Sequence, residues 1–283
     1  MIGVTEENSI VLIKQFLDKE LSEATFPNDA VLHSILGGFY FDYARSNYWR
    51  IWENTAVNDS SIVTDDISTW DMRRLMNISF EHYNKSVENK KTFGISIEEY
   101  KVLLQEERKS TFLRPTLYDV LAHRAYDFYA LDKNYLITPA YQFEINQPEA
   151  FGSITEFVNA DFKQVEKFSG KHRAILLLQE LLRIHMNDKK PDALVDANLK
   201  RLLFINRYST LADKQNVYLE SLYTFRKKDS NHEVYSEITA YIGDIYYEKG
   251  NSYNPNYNTE NKWDWKYAFE RYEEGITKFP DSH

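Results

Sequence analysis

Apolar residues recur along most of this chain at the three- and four-residue spacing of an amphipathic helix. Leu117, Val120, Leu121, Ala125 and Phe128 share one helical face, and Ala174, Leu177, Leu178, Leu181, Leu182 and His185 share another. The same periodicity predicts helices over residues 6–22, 28–54, 69–89, 97–107, 192–206, 211–227, 232–249 and 264–278. Helix starts are marked by a Ser or Thr followed three residues later by a carboxylate, the spacing at which the two side chains satisfy each other's free backbone donors. Ser68 with Asp71, Ser96 with Glu99, Thr116 with Asp119, Ser153 with Glu156 and Ser230 with Glu233 carry it. Only 9 Gly and 7 Pro interrupt 283 residues, fewer than an all-β chain needs for its turns. The prediction is an all-α chain of antiparallel helical hairpins with short connections, arranged as an α-α superhelix.

One segment breaks the pattern. Residues 132–160 carry Pro139, Pro148 and Gly152 between Tyr- and Phe-rich stretches and read as a long irregular, non-helical crossover. The chain then divides into an N-terminal helical block, 1–131, the crossover, 132–160, and a C-terminal run of hairpins, 161–283. Near the C-terminus, Ile242, Gly243 and Tyr246 are followed by Ala268, Tyr272, Gly275 and Pro280 at the spacing of the two helices of a tetratricopeptide repeat, which this stretch resembles. In that motif a bulky apolar residue precedes a Gly that admits the second helix, and an aromatic follows one turn later. Between the helices lies an insertion, 250–268, of Asn, Tyr, Ser, Pro and Trp in place of a tight turn. Loops tolerate additions and often carry function, so Tyr253, Tyr257, Trp263 and Trp265 are candidate partner-binding residues; the alternative is that the two tryptophans simply cap the hairpin. Upstream, Leu36, Gly37 and Tyr40 repeat the first-helix spacing, with no second-helix pattern at the expected distance.

Composition adds exclusions. The apolar share of 43% and charged share of 27% match a soluble globular chain, while 15% aromatics is high and suits wide gaps between helices. The formal charge is −9, and residues 1–70 hold 11 carboxylates against Lys14, Lys19, Arg45 and Arg50. That balance opposes a phosphate backbone, and no local basic patch overrides it, so no nucleic-acid partner is expected. The lack of cysteine removes disulfides, thiolate metal sites and cysteine nucleophiles. No apolar run approaches the roughly 18 residues of a spanning helix, so no membrane insertion by this segment is expected. The opening Met1-Ile2-Gly3-Val4-Thr5 lacks the basic and apolar regions of a signal peptide.

Candidate chemistry is sparse. The seven His residues form no pair four apart with an intervening Glu, and no Gly-rich phosphate loop, Gly-x-Ser-x-Gly elbow or calcium loop occurs. His123 follows Asp119 by one helical turn, a spacing that lets a carboxylate orient imidazole; with no nucleophile placed beside it, a structural hydrogen bond is expected. Tyr40, Tyr43, Tyr48, Trp49 and Trp52 lie at helical spacing and read as core in preference to a docking strip. No catalytic residue, cofactor or metal is expected.

Longer runs carry a family resemblance. They are Phe26-Pro27-Asn28-Asp29-Ala30-Val31-Leu32-His33-Ser34, Tyr48-Trp49-Arg50-Ile51, Thr69-Trp70-Asp71 and, most specifically, Arg114-Pro115-Thr116-Leu117-Tyr118-Asp119-Val120-Leu121-Ala122-His123-Arg124-Ala125. These resemble the N-terminal helical region of the alpha-2-macroglobulin-like proteins of Bacteroidetes. The resemblance implies a periplasmic or cell-surface protein that traps proteases, in which this region is a non-catalytic interaction or spacer element. Its partners would be other domains of the same protein or envelope proteins. The family's covalent chemistry belongs to a thioester motif, and this chain has no Cys to form one. The rival expectation is a surface carbohydrate-binding protein with embedded tetratricopeptide hairpins.

Overall fold

A computed structural model describes residues 7–55, 66–103, 110–131, 143–163 and 169–281 of the chain. Within those residues the fold is all-helical and contains no strand. The helices are α1 (Glu7–Glu23), α2 (Asn28–Ser46), α3 (Tyr48–Thr55), α4 (Met72–Ser86), α5 (Ser110–Leu113), α6 (Leu117–Tyr129), α7 (Ile154–Asn159), α8 (Gly170–His185), α9 (Asp192–Tyr208), α10 (Lys214–Lys228), α11 (Val234–Asn251) and α12 (Asp264–Lys278). Trp52 (as a side chain), Pro139, residues 104–107 and His283 lie outside what is described. None of the described helices is long and apolar enough to cross a membrane.

Several helix boundaries differ from expectation for local polar reasons. The helix expected over 28–54 is two, because Asn47 directs both its backbone N–H, at 3.1 Å, and its side-chain amide, at 3.0 Å, onto the Tyr43 carbonyl and ends α2. The capping boxes of Thr116 with Asp119 and Ser153 with Glu156 form as expected. Ser68 and Asp71 do not pair. Asp71 is itself the cap of α4, accepting from the Arg74 N–H at 2.7 Å, and Asp66 caps a short 3-10 turn before it. Ser96 opens a 3-10 helix, Ile97–Leu103, in place of an α-helix. Ser230 caps nothing, since α11 starts four residues later, where His232 Nδ1 accepts the Val234 N–H at 3.1 Å.

The described residues group into two compact units, one of residues 1–143 with 162–177 and the other of 144–161 with 178–283. In the first, α2 and α4 form the principal pair. Leu36, Gly37 and Tyr40 face α4, and a methyl group added to Gly37 would sit 2.9 Å from Tyr83 Cδ2. Ser79 and Ser86, fully buried one turn either side of Tyr83, leave room for that ring. Tyr40 stacks on Trp70 at 5.6 Å, and Arg74 lies 4.0 Å over the other aromatic system of that pair, Trp70. Tyr40 and Tyr43 are therefore core, as expected, whereas Trp49 is largely exposed. The buried stripe of α6 joins the pair, with Arg124 Nε donating to Ser34 Oγ at 2.9 Å and Tyr129 Oη to Asn84 Oδ1 at 2.8 Å.

Between α2 and α4 the rings of His33 and His82 face each other with their Nδ1 atoms 2.9 Å apart. Such a contact needs one proton between two nitrogens, so one ring donates and the other accepts. Burial lowers the His33 pKa, with Lys85 adding to the effect and Asp29 and Glu88 opposing it. Burial, then His33 and Lys85, lower His82 to about 4 against an opposing Asp18. Two cationic rings at this distance would repel.

In the second unit, the segment expected to be a non-helical crossover is only partly so. Its residues 144–160 hold a 3-10 turn, Pro148–Ala150, and the helix α7, and they bury Ile145, Phe151, Phe157 and Val158. Burying irregular backbone requires acceptors to be satisfied. Side chains of α8, α9 and α10 do this. Gln179 donates to the Phe157 and Ala160 carbonyls at 2.8 Å each, Arg183 to Val158 at 3.0 Å, Arg201 to Gly152 at 2.8 Å and Ser221 to Phe151 at 2.9 Å. Just past α9, Ser209 Oγ reaches the Ile145 carbonyl at 3.0 Å.

Two outcomes follow. Gln179→Leu keeps the volume but strands one buried and one part-buried carbonyl; denaturant unfolding should show a loss of about 2 kcal/mol, and a neutral substitution would contradict the role given to Gln179. Because both histidines bind protons more weakly folded than unfolded, their contribution is intact above about pH 6.5 and is lost as the pH falls toward about 4. The fall in melting temperature across that window should be smaller for His82→Gln than for the unaltered protein.

Candidate functional site

The second unit carries an open groove of about 990 Å³. One wall comes from the C-terminal end of α9 and the start of α10, with Asn206, Arg207, Lys214 and Gln215; the other comes from α11 and the start of α12, with Tyr241, Asp244, Glu248 and Asp264. Tyr218 of α10 and Tyr246 of α11 also line it, and Lys249 is the one base that α11 contributes. Burial, and then the charge of Asp244 and the neighbouring Tyr241, raises the Tyr218 phenol. Tyr246 is pushed up to about 12 by burial and by its hydrogen bond with Tyr223, whose oxygen lies 3.2 Å away. These phenols stay protonated, and a neutral phenol can both donate and accept a hydrogen bond. The groove lining contains no His, and the Ser252 hydroxyl at its edge donates to the Lys249 carbonyl at 2.7 Å.

The second wall is held by the contact between α11 and α12. Ile242 and Ala268 are fully buried, and a methyl group on Gly243 would lie 2.6 Å from Tyr272 Cε1. The Tyr272 ring thus rests on helix backbone, and its hydroxyl donates to Asp244 Oδ1 at 2.7 Å. One turn on, Gly275 accepts from Ser236 Oγ at 2.9 Å. Glu274 draws Arg226, Arg271 and Tyr235 together and ties α10 to this pair. Tyr246 meets Tyr267 edge-on at 5.8 Å, and α12 stops at Lys278, two residues before the exposed Pro280. Ile242, Gly243, Tyr246, Ala268, Tyr272 and Gly275 are therefore brought together along the contact of α11 with α12, whereas Pro280 lies outside it.

The insertion is an ordered loop. Asn254 and Asn258 exchange backbone hydrogen bonds of 2.8 and 2.9 Å, and the side chains of Asn258 and Asn261 both reach Ser252. None of Tyr253, Tyr257, Trp263 and Trp265 lines the groove; the loop contributes Ser252 and Asn261 instead. Trp265 packs its indole against Gly250 and donates to Asn251 Oδ1 at 3.1 Å, which makes it a clamp closing the loop. Tyr257 is 90% exposed at the tip, Trp263 is exposed beside Lys262, and Tyr253 is half-buried. No family model matches this chain, nor does any curated protein or solved structure.

Elsewhere the geometry is structural. His123 is buried in α6, and Asp119 Oδ2 accepts from Thr116 N at 2.9 Å and Thr116 Oγ1 at 2.8 Å. Among the described residues no group of three or more His, Cys, Asp or Glu is arranged to hold a metal ion. The groove residues escaped the sequence reading because they are polar side chains from four helices with no local motif. The one available signal was the spacing that fixes α11 against α12.

Gly243→Ala sets a gain in helix propensity of up to about 1 kcal/mol against overpacking of about 1–3 kcal/mol, and a net loss of stability is expected. Combining it with Tyr272→Ala should give a loss well short of the sum of the two single losses, since the clash vanishes with the ring. Additive losses in the double-mutant cycle would contradict the seam.

Proposed function

We propose that the chain is a non-catalytic helical interaction module whose groove between α9/α10 and α11/α12 receives a polypeptide segment of a partner. The observation that carries this reading is the groove's lining: carboxamides of Asn206, Gln215 and Asn261, which both donate and accept, beside tyrosines that stay protonated. That mixture suits main-chain N–H and C=O groups, and no neighbouring base and nucleophile accompany it. The seam of Gly243, Tyr272 and Gly275 supports reading α11/α12 as a tetratricopeptide-like hairpin, a scaffold whose concave faces serve binding. The runs 26–34 and 114–125 support an origin in a macroglobulin-like, protease-trapping envelope protein of Bacteroidetes, with other domains of that protein or envelope proteins as partners. The rival reading, a surface carbohydrate-binding protein, draws on the exposed Tyr257 and Trp263.

A random peptide library displayed on phage and selected on the immobilised protein tests the reading. Selected peptides should bind about tenfold more weakly to Gln215→Ala and Tyr241→Ala, a difference of about 1.4 kcal/mol, and equally well to Tyr257→Ala. Failure to select any groove-dependent peptide, together with glycan-array binding lost on replacing Trp263 and Trp265 by Ala, would transfer the assignment to carbohydrate.

A further inference from the structure

The two walls of the groove differ in charge. Arg207 and Lys214 stand on the α9/α10 side, and Asp244, Glu248 and Asp264 on the α11/α12 side, with Lys249 the single exception. No ion pair among the described residues joins the two walls; the nearest acidic network, around Glu274, is closed among Arg226, Arg271 and Tyr235. Asp244 is bound by the Tyr272 hydroxyl, which neutralises none of its charge. Opposite charges facing each other across a partly enclosed cleft set up a transverse field, and an occupant that presents the matching sign to each wall gains at both.

We infer that the groove takes an extended polypeptide segment in which acidic and basic side chains alternate; this rests on the reading of the groove as a polypeptide site. In an extended chain successive side chains point to opposite sides, so every acid of such a segment falls on one flank and every base on the other. The acidic flank meets Arg207 and Lys214, the basic flank meets Glu248 and Asp264, and the main chain between them meets the carboxamides of Asn206, Gln215 and Asn261. A uniformly charged segment gains at one wall and is repelled at the other. A helical segment of the same sequence scatters its signs around the axis, because 3.6 residues per turn does not segregate an alternating pattern. A neutral glycan carries no charge to match either wall and would meet them by hydrogen bonds alone.

The test uses the full chain and fluorescein-labelled peptides read by anisotropy: an alternating Glu-Lys decamer, a block decamer of the same composition with all Glu before all Lys, and maltoheptaose as competitor. The alternating peptide is expected to bind at least about tenfold more tightly than the block peptide, and its affinity should fall steeply with added salt. Arg207→Glu with Lys214→Glu makes both walls acidic and should abolish the preference. Adding Glu248→Lys and Asp264→Lys to that variant exchanges the walls and should restore it, since the peptide regains its match by slipping one residue; this rescue separates recognition from damage to the fold. Equal affinity for the two decamers, or no rescue in the exchanged variant, overturns the alternation. If library-selected peptides still depend on Gln215 and Tyr241 under those outcomes, the polypeptide groove itself stands. Displacement of the decamer by maltoheptaose with no selectable peptide overturns both.

Discussion

Both units depend on the same contact, a tyrosine ring laid against the backbone of a neighbouring helix at a glycine. Helices packed through ordinary side chains keep their axes about 8–10 Å apart. A glycine removes the side chain at the crossing and a flat ring fills the gap, so the backbone and not a rotamer fixes the separation. Gly37 receives Tyr83 in the first unit and Gly243 receives Tyr272 in the second. Small residues flank each ring at matching positions: Ser79 and Ser86 around Tyr83, Ala268 and Gly275 around Tyr272. The preceding helix reads Leu36-Gly37 then Tyr40 in one case and Ile242-Gly243 then Tyr246 in the other. Groove geometry inherits this rigidity, because Tyr272 is at once the wedge between α11 and α12 and the donor that orients Asp244 on the groove wall.

How much of this could be read in advance follows from what kind of signal each element leaves. The all-α class and most helix positions were legible because burial of a stripe imposes a 3.6-residue period, as on α6 and α8. The C-terminal seam was legible because Ile, Gly, Tyr, Ala, Tyr and Gly fall at fixed intervals over a short distance. Its counterpart in the first unit was half legible: Leu36, Gly37 and Tyr40 stood out, but their partner lies much further along the chain, and its small residues are serines. Ser79 conceals itself well, since its hydroxyl returns to the Leu75 carbonyl of its own helix at 2.8 Å and occupies the space of a small apolar residue.

Polar partnerships over long range left almost no trace. Thr116 and Ser153 announced their caps because donor and acceptor are three residues apart, whereas Asp71, Asn47 and His232 act through geometry that spacing alone does not distinguish. Gln179, Arg183 and Arg201 read as ordinary members of amphipathic helices. Their role appears only when the carbonyls of 152–160 come against them. Arg201 illustrates the cost of that role: burial lowers its guanidinium to about 9, opposed by Glu156, and its guanidinium carbon lies 4.9 Å from the centre of the Phe157 ring. The residues of the groove are illegible for the same reason, being assembled from four helices and the loop between two of them.

The order in which the two compact units draw on the chain has a consequence for biogenesis. Residues 144–161 belong to the second unit, 162–177 return to the first, and the change back occurs inside α8. Neither unit is therefore a continuous stretch, and no single cut yields both intact. During vectorial synthesis the first unit waits for residues that emerge after part of the second, while the carbonyls of 144–161 wait for helices made later still. The first unit draws on no residue after 177, whereas the second is completed only by the helices that follow, unlike repeat arrays in which each element docks on the one before it.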